Sequence, residues 1–170
     1  EKRIKGWSRA KKLALIRGDW DEISRWAQSK DSPSTSSGQT DIRGAQTALH
    51  SIRSHAASAH PEEACGLLLG TDGRITQAIA TRNVHPTPRT HFEIDPQALI
   101  DAHRDERQGG PRVRGYFHSH PNGSPHPSPT DQAQSAGDGK VWAIAAGPDV
   151  MFWEAHPDGF HALSYEVVAG

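Results

Sequence analysis

Residues Tyr116 to Asp131 read YFHSHPNGSPHPSPTD. Val113 to His120 reads as a strand. His118 and His120 stand two apart at its end, where alternate side chains point the same way, so both imidazoles can reach one metal ion. Pro121, Pro125, Pro127 and Pro129 restrict the following loop and limit the conformations lost in bringing a later carboxylate back. Asp131 is that carboxylate, in a short helix predicted over Thr130 to Ala136. Two histidines, one aspartate and an open position compose a catalytic zinc site, because a structural zinc takes a fourth protein ligand, usually cysteine. Cys65 is the only thiol, so a closed cysteine-type site is excluded.

Outward from this stretch, Ala45, Ala48, Leu49, Ile52, Ala56 and Ala59 line one face of a helix that Pro61 stops. Cys65 to Leu69 (CGLLL) is a short apolar run ending at Gly70 and Asp72-Gly73, which predicts a buried strand and a hairpin into Ile75 to Val84. His91 to Ile94 is a further strand candidate. Asp95 and Pro96 supply an N-cap and first-turn residue for a helix over Gln97 to Arg107, closed by Gly109-Gly110. Three strands are predicted near the end: Val141 to Ala146, Val150 to Ala155 and His161 to Val168. Helices interleaved with strands, then a run of strands, define an α/β protein with a mixed β-sheet flanked by helices.

The chain has 170 residues, enough for one ordinary domain with an appendage and too few for two full catalytic domains. Only 34% of residues are apolar and mean hydropathy is -0.70, so part of the chain builds the core while another part stays solvated. The division is visible. Residues 1–30 carry nine Lys/Arg against four Asp/Glu, a basic helical segment of two short helices, whereas residues 31–170 carry ten against sixteen. Residues 31–44 (DSPSTSSGQTDIRG) offer almost nothing to bury and read as a flexible linker, leaving 45–170 as the catalytic domain. No apolar run reaches the roughly 18 to 20 residues of a membrane span, and the lone cysteine suits a reducing compartment, so a soluble, cytoplasmic protein is expected.

Hydrolysis at such a metal also needs a base, and Glu62 and Glu63, just before the buried strand, are the candidates. Ser128 is placed to donate to an oxyanion. The arrangement resembles the JAMM (MPN+) family of zinc metalloproteases, in which a glutamate precedes His-x-His, seven residues, Ser, two residues and Asp. His118-Ser119-His120, Pro121 to Pro127, Ser128, Pro129-Thr130 and Asp131 meet that spacing without a gap. Glu63-Ala64-Cys65-Gly66 fits the family's usual Glu-x-Cys-Gly and selects Glu63 over Glu62. The composition of this chain would yield the His, Ser and Asp spacing by accident about 0.004 times, which makes coincidence a poor explanation.

The resemblance covers about residues 45–170 and includes His91-Phe92-Glu93-Ile94-Asp95-Pro96, similar to a strand-to-helix step of bacterial members. It implies a cytidine-deaminase-like α/β fold and one zinc per chain held by His118, His120 and Asp131. Glu63 would be the general acid/base and Ser128 the stabiliser of the tetrahedral intermediate. The implied reaction is cleavage of a peptide or isopeptide bond at the Gly-Gly end of a small ubiquitin-like or sulfur-carrier protein.

Bland alternatives stand beside several of these readings. Ser128-Pro129-x-Asp131 is also a helix start that needs no metal. Cys65 reads as a small core residue, His126 as a solvated loop residue, Asn122-Gly123 as a turn, and the other histidines as surface groups. Residues 1–30 weakly resemble the C-terminal tail of GIY-YIG nuclease-fold proteins but contain neither element of that name, so no nuclease activity follows and a nucleic-acid partner is not expected. The rival functional reading is a non-catalytic MPN-type or RadC-like binding module, possible because RadC-type proteins share the His-x-His-Pro loop.

Overall fold

A computed structural model describes residues 42–71 and 73–168. The helices expected over residues 1–30, and the linker up to residue 41, lie outside the described residues. In chain order the elements are β1 (Ile42–Ala45), α1 (Gln46–Ala59), β2 (Cys65–Thr71), β3 (Arg74–Thr81), α2 (Pro96–Arg107) and β4 (Arg112–Ser119). There follow α3 (Pro129–Gln134), β5 (Val141–Ala146), β6 (Asp149–His156), β7 (Gly159–Leu163) and β8 (Tyr165–Val168). The strands form one sheet in the order β7-β6-β5-β4-β2-β3-β1-β8. It is mixed: β4 with β5, and β1 with both β3 and β8, run parallel, and the remaining pairs run antiparallel.

Both faces of the central strands are covered, which is why they read as continuous apolar runs rather than alternating ones. On one face Ala48, Leu49 and Ile52 of α1 meet Leu68, Phe117, Val141, Ala143 and Ala145. On the other, Leu99 of α2 joins Cys65, Leu67, Leu69, Phe92, Tyr116, Trp142 and Ile144. Each fully buried Leu, Ile or Phe contributes roughly 1.5–3 kcal/mol. Gly66 is fixed by this packing: a Cβ there would overlap the Ile79 carbonyl and the Phe117 ring. The expected caps form. Asp95 Oδ1 accepts from the Gln97 N–H at 2.9 Å with Pro96 in the first turn, and Gly109, at φ +91°, follows the last turn of α2.

Four expectations are corrected. His91 to Ile94 is not a strand; among these residues only Ile94 forms a bridge, to Asn83. The Asn83 side chain bonds the His91 carbonyl and the Glu93 N–H, so a side chain takes the groups a neighbouring strand would have paired. His161 to Val168 divides at Ser164 into β7, paired with β6, and β8, paired with β1 at the opposite edge of the sheet order. The stretch read as linker ends in a strand, because Ile42–Ala45 gains ladder partners in β3 and β8 that composition does not reveal. His103 is buried on α2, one turn beyond Leu99, with Nδ1 3.1 Å from Glu106 Oε2. No helix among the described residues is long and apolar enough to cross a membrane.

Candidate active site and metal centre

β4 lies between β2 and β5, and its C-terminal end carries the histidines. His118 is paired with Cys65 on one side and Ile144 on the other, and is fully buried. Phe92 stacks on its ring at 4.3 Å, with Trp142 edge-on at 5.7 Å, so the imidazole is held by packing. His120 lies just beyond the strand, where its N–H still bonds the Ala145 carbonyl at 2.8 Å. Its Nδ1 is 2.7 Å from the Ser124 carbonyl and donates to it, so the neutral ring presents the Nε2 lone pair to the site.

The proline-rich loop returns Asp131 to both rings. Asp131 Oδ1 is 3.2 Å from His118 Nε2, Oδ2 is 3.2 Å from His120 Nε2, and the two Nε2 atoms are 2.9 Å apart. All three side chains are buried, and theirs is the one group of this kind found among the described residues. Ligands about 2.0–2.1 Å from a tetrahedral zinc lie roughly 3.3 Å from one another, so the donor spacing fits such an ion. The Asn122-Gly123 turn forms, with Gly123 at φ +83° and its N–H on the His120 carbonyl. Trp153 Nε1 donates to the Pro125 carbonyl at 3.1 Å, next to the carbonyl that His120 uses, and anchors the loop. His126 is exposed, its ring centroid 5.5 Å from that of Trp153.

Ser128 is the N-cap of α3. Its Oγ accepts from the Asp131 N–H at 3.1 Å and donates to Asp131 Oδ2 at 2.8 Å, while its own N–H bonds the same oxygen at 2.7 Å. The helix start read from the sequence is therefore present, and it orients the carboxylate that faces the histidines. Burial works against the charged Asp131, but the bonds from His118, His120 and the Ser128 backbone prevail and hold its pKa below the usual carboxylate range. His120 is likewise opposed by burial, yet Asp131 and the Ser124 carbonyl raise its pKa overall.

Of the two glutamates, Glu62 is exposed and Glu63 is only 7% exposed. Burial pushes Glu63 up to about 7; the charge of His120 opposes this and that of Asp131 adds to it, so the carboxyl belongs to the same electrostatic site. Cys65 packs in the core with Sγ 3.6 Å from Thr81 Oγ1. Sequence reasoning missed Phe92, Trp153, Asn83 and Ser119. Ser119 had a signal, since the residue between two converging histidines faces the other side of the strand, but nothing in the sequence named its partner.

A mixed α/β sheet that gathers a buried acid of near-neutral pKa beside a two-histidine, one-carboxylate group has the composition of a candidate hydrolytic site. Residues 45–156 match the prokaryotic homologs of the JAB domain, and the chain belongs to that family. It is 37% identical over 131 residues to a desampylase of Haloferax volcanii, covering 72% of this chain and 94% of the relative. It is 36% identical over 83 residues to a probable TtuB-protein conjugate cleaving protease of Thermus thermophilus, covering 49% of this chain and 55% of that protein. Among solved structures, the Desulfitobacterium hafniense protein DSY2949 superposes with TM-score 0.67 at 25% identity, covering 76% of this chain and 94% of that one. The chain is a hydrolase of this family.

Proposed function

We propose that the chain is a zinc-dependent isopeptidase cutting the bond that follows the C-terminal Gly-Gly of a small ubiquitin-like or sulfur-carrier protein. Its catalytic domain begins at β1 (Ile42–Ala45), and residues 1–30 are a basic appendage joined to it by the Ser/Thr/Gly-rich residues that precede that strand. The observation that carries the reading is the convergence of His118, His120 and Asp131 donor atoms at 2.9–3.2 Å beside buried Glu63. Similarity to a desampylase and to a conjugate-cleaving protease supports the substrate class.

His118 Nε2, His120 Nε2 and the Asp131 carboxylate would hold the ion. Zinc in such a site lowers the pKa of water toward about 7 and polarises a carbonyl. Glu63 takes the proton from the attacking water and returns it to the leaving amine, a task matched to a carboxyl held at about 7. The Ser128 hydroxyl donates to the oxyanion that develops on the scissile carbonyl. To do so it leaves Asp131 Oδ2, which retains the Ser128 N–H as a donor.

Purified protein should contain about one zinc per chain by elemental analysis. Glu63→Gln should retain that zinc while kcat on an isopeptide-linked, Gly-Gly-ended ubiquitin-like substrate falls by roughly 10²–10⁴. A wild-type protein that binds zinc tightly and cleaves no such conjugate would favour the non-catalytic MPN-type or RadC-like binding module.

A further inference from the structure

Glu63 precedes β2, on a segment that belongs to no helix or strand. A base on irregular chain keeps its place only if the backbone beneath it is fixed, and here all four backbone polar groups of Glu63 and Ala64 are bound by distant residues. The Glu63 N–H donates to the Pro88 carbonyl at 2.7 Å, and the Glu63 carbonyl accepts from Asn83 Nδ2 at 3.0 Å. The Ala64 N–H donates to Ser119 Oγ at 2.8 Å, and the Ala64 carbonyl accepts from the Ser119 N–H at 3.0 Å. Two of the four bonds come from side chains.

Each of those side chains has a reason to be specific. Asn83 uses its full capacity: Nδ2 donates to the Glu63 and His91 carbonyls, and Oδ1 accepts from the His85 and Glu93 N–H groups. Two carbonyls on one side and two N–H groups on the other fix the orientation of the amide. Ser119 stands between His118 and His120, is 4% exposed, and grips Ala64 through both its side chain and its backbone. The strand that presents the metal-binding side chains on one face thus holds the glutamate's segment from the other.

We propose that Asn83 and Ser119 are positioning residues that lock the backbone of Glu63–Ala64 and so set the Glu63 carboxylate against the His118–His120–Asp131 group. The proposal rests on the reading of Glu63 as the proton-transferring group. A displacement of about 1 Å in such a group costs on the order of a hundredfold in rate, so the two side chains act on turnover rather than on substrate binding.

The test compares wild type with Asn83→Ala and Ser119→Ala. The substrate is a small ubiquitin-like protein ending in Gly-Gly, joined by an isopeptide bond to a lysine of a dye-labelled peptide. In each variant kcat should fall roughly tenfold to a hundredfold with KM little changed, while zinc content stays at the wild-type level. Amide exchange followed by NMR needs no substrate: in Ser119→Ala the Ala64 amide should exchange at least about tenfold faster, because its acceptor is gone. Unchanged exchange at Ala64, unchanged kcat, or loss of zinc in step with kcat would each overturn the proposal. If Asn83→Ala does not fold, Ser119→Ala decides alone. Full activity in Glu63→Gln would sink the base assignment instead, whereas an inactive Glu63→Gln beside fully active positioning variants would sink only the clamp.

Discussion

The two halves of the site are held in place by different means. His118, His120, Ser128 and Asp131 lie in one stretch, and their geometry follows from strand alternation, four prolines and a capping box. Glu63 lies far upstream; its backbone is tied to Asn83 and Pro88, and that of the adjoining Ala64 to Ser119. The first half is laid out by local rules, with Phe92, Trp142 and Trp153 steadying it from outside the stretch. The second exists only once β2, β3 and β4 have paired, since the clamp spans the ends of all three.

The bluntest way to break the local half is Asp131→Ala. It removes one of three donors and should abolish stoichiometric zinc and hydrolysis together, in contrast to Glu63→Gln; zinc content and turnover measured on the same samples separate the halves.

Ser128→Ala sharpens the comparison more gently. It removes the N-cap hydroxyl of α3, costing about 0.5–2 kcal/mol of stability by thermal denaturation, and one donor to Asp131 Oδ2, which should weaken zinc affinity roughly 10- to 100-fold in a chelator competition. If zinc affinity holds at the wild-type level while kcat drops sharply, the hydroxyl serves the oxyanion and its bond to the carboxylate matters little.

The pH dependence of stability joins both halves. Glu63 sits above its ordinary 4.5, at about 7, so the folded metal-free protein binds a proton that the unfolded chain has released, and stability falls as pH rises through that window. His120, raised above 6.5, acts in the same sense: its contribution is complete below its unfolded pKa and is lost as pH climbs through the folded one. Asp131, lowered, contributes above its unfolded value and loses that contribution only in acid. Metal-free protein should therefore melt at progressively lower temperature from about pH 5 to pH 8. Zinc-loaded protein should show the opposite slope, because binding the ion requires unprotonated histidines. Calorimetry with and without chelator gives both curves, and parallel curves would count against a metal at this group.

The smallest effect is expected for Trp153→Phe. The ring is largely kept while the bond to the Pro125 carbonyl is lost, which removes about 0.5–1.5 kcal/mol of loop anchoring. Zinc affinity should weaken a few-fold and amide exchange in the loop should quicken, with Glu63 undisturbed.

Legibility in the sequence follows the same division. α1, β2, α2 and β4 were readable because apolar period, caps and breakers are properties of adjacent residues, and both faces of the sheet are covered as the unbroken apolar runs predicted. The His91–Ile94 strand was misread because the pattern does not reveal that the Asn83 amide takes the backbone groups a ladder would use. β1 hid in a segment whose composition gives nothing to bury, since its stabilisation lies in ladder bonds to β3 and β8. The split of the last strand at Ser164 was equally hidden, because which edge a strand joins is decided by partners.

Sequence alone determined the two-histidine, one-aspartate pattern, its spacing, the proline-rich loop between its members and the α/β alternation, because each depends on residue chemistry and on short-range backbone geometry. Tertiary structure decided that Glu63 and not Glu62 is buried, that its carboxyl is lifted to about 7, and that Asn83 bonds its backbone while Ser119 bonds that of Ala64 beside it. Burial and long-range hydrogen bonds are properties of packed surfaces, and no stretch of chain possesses them before it meets the rest.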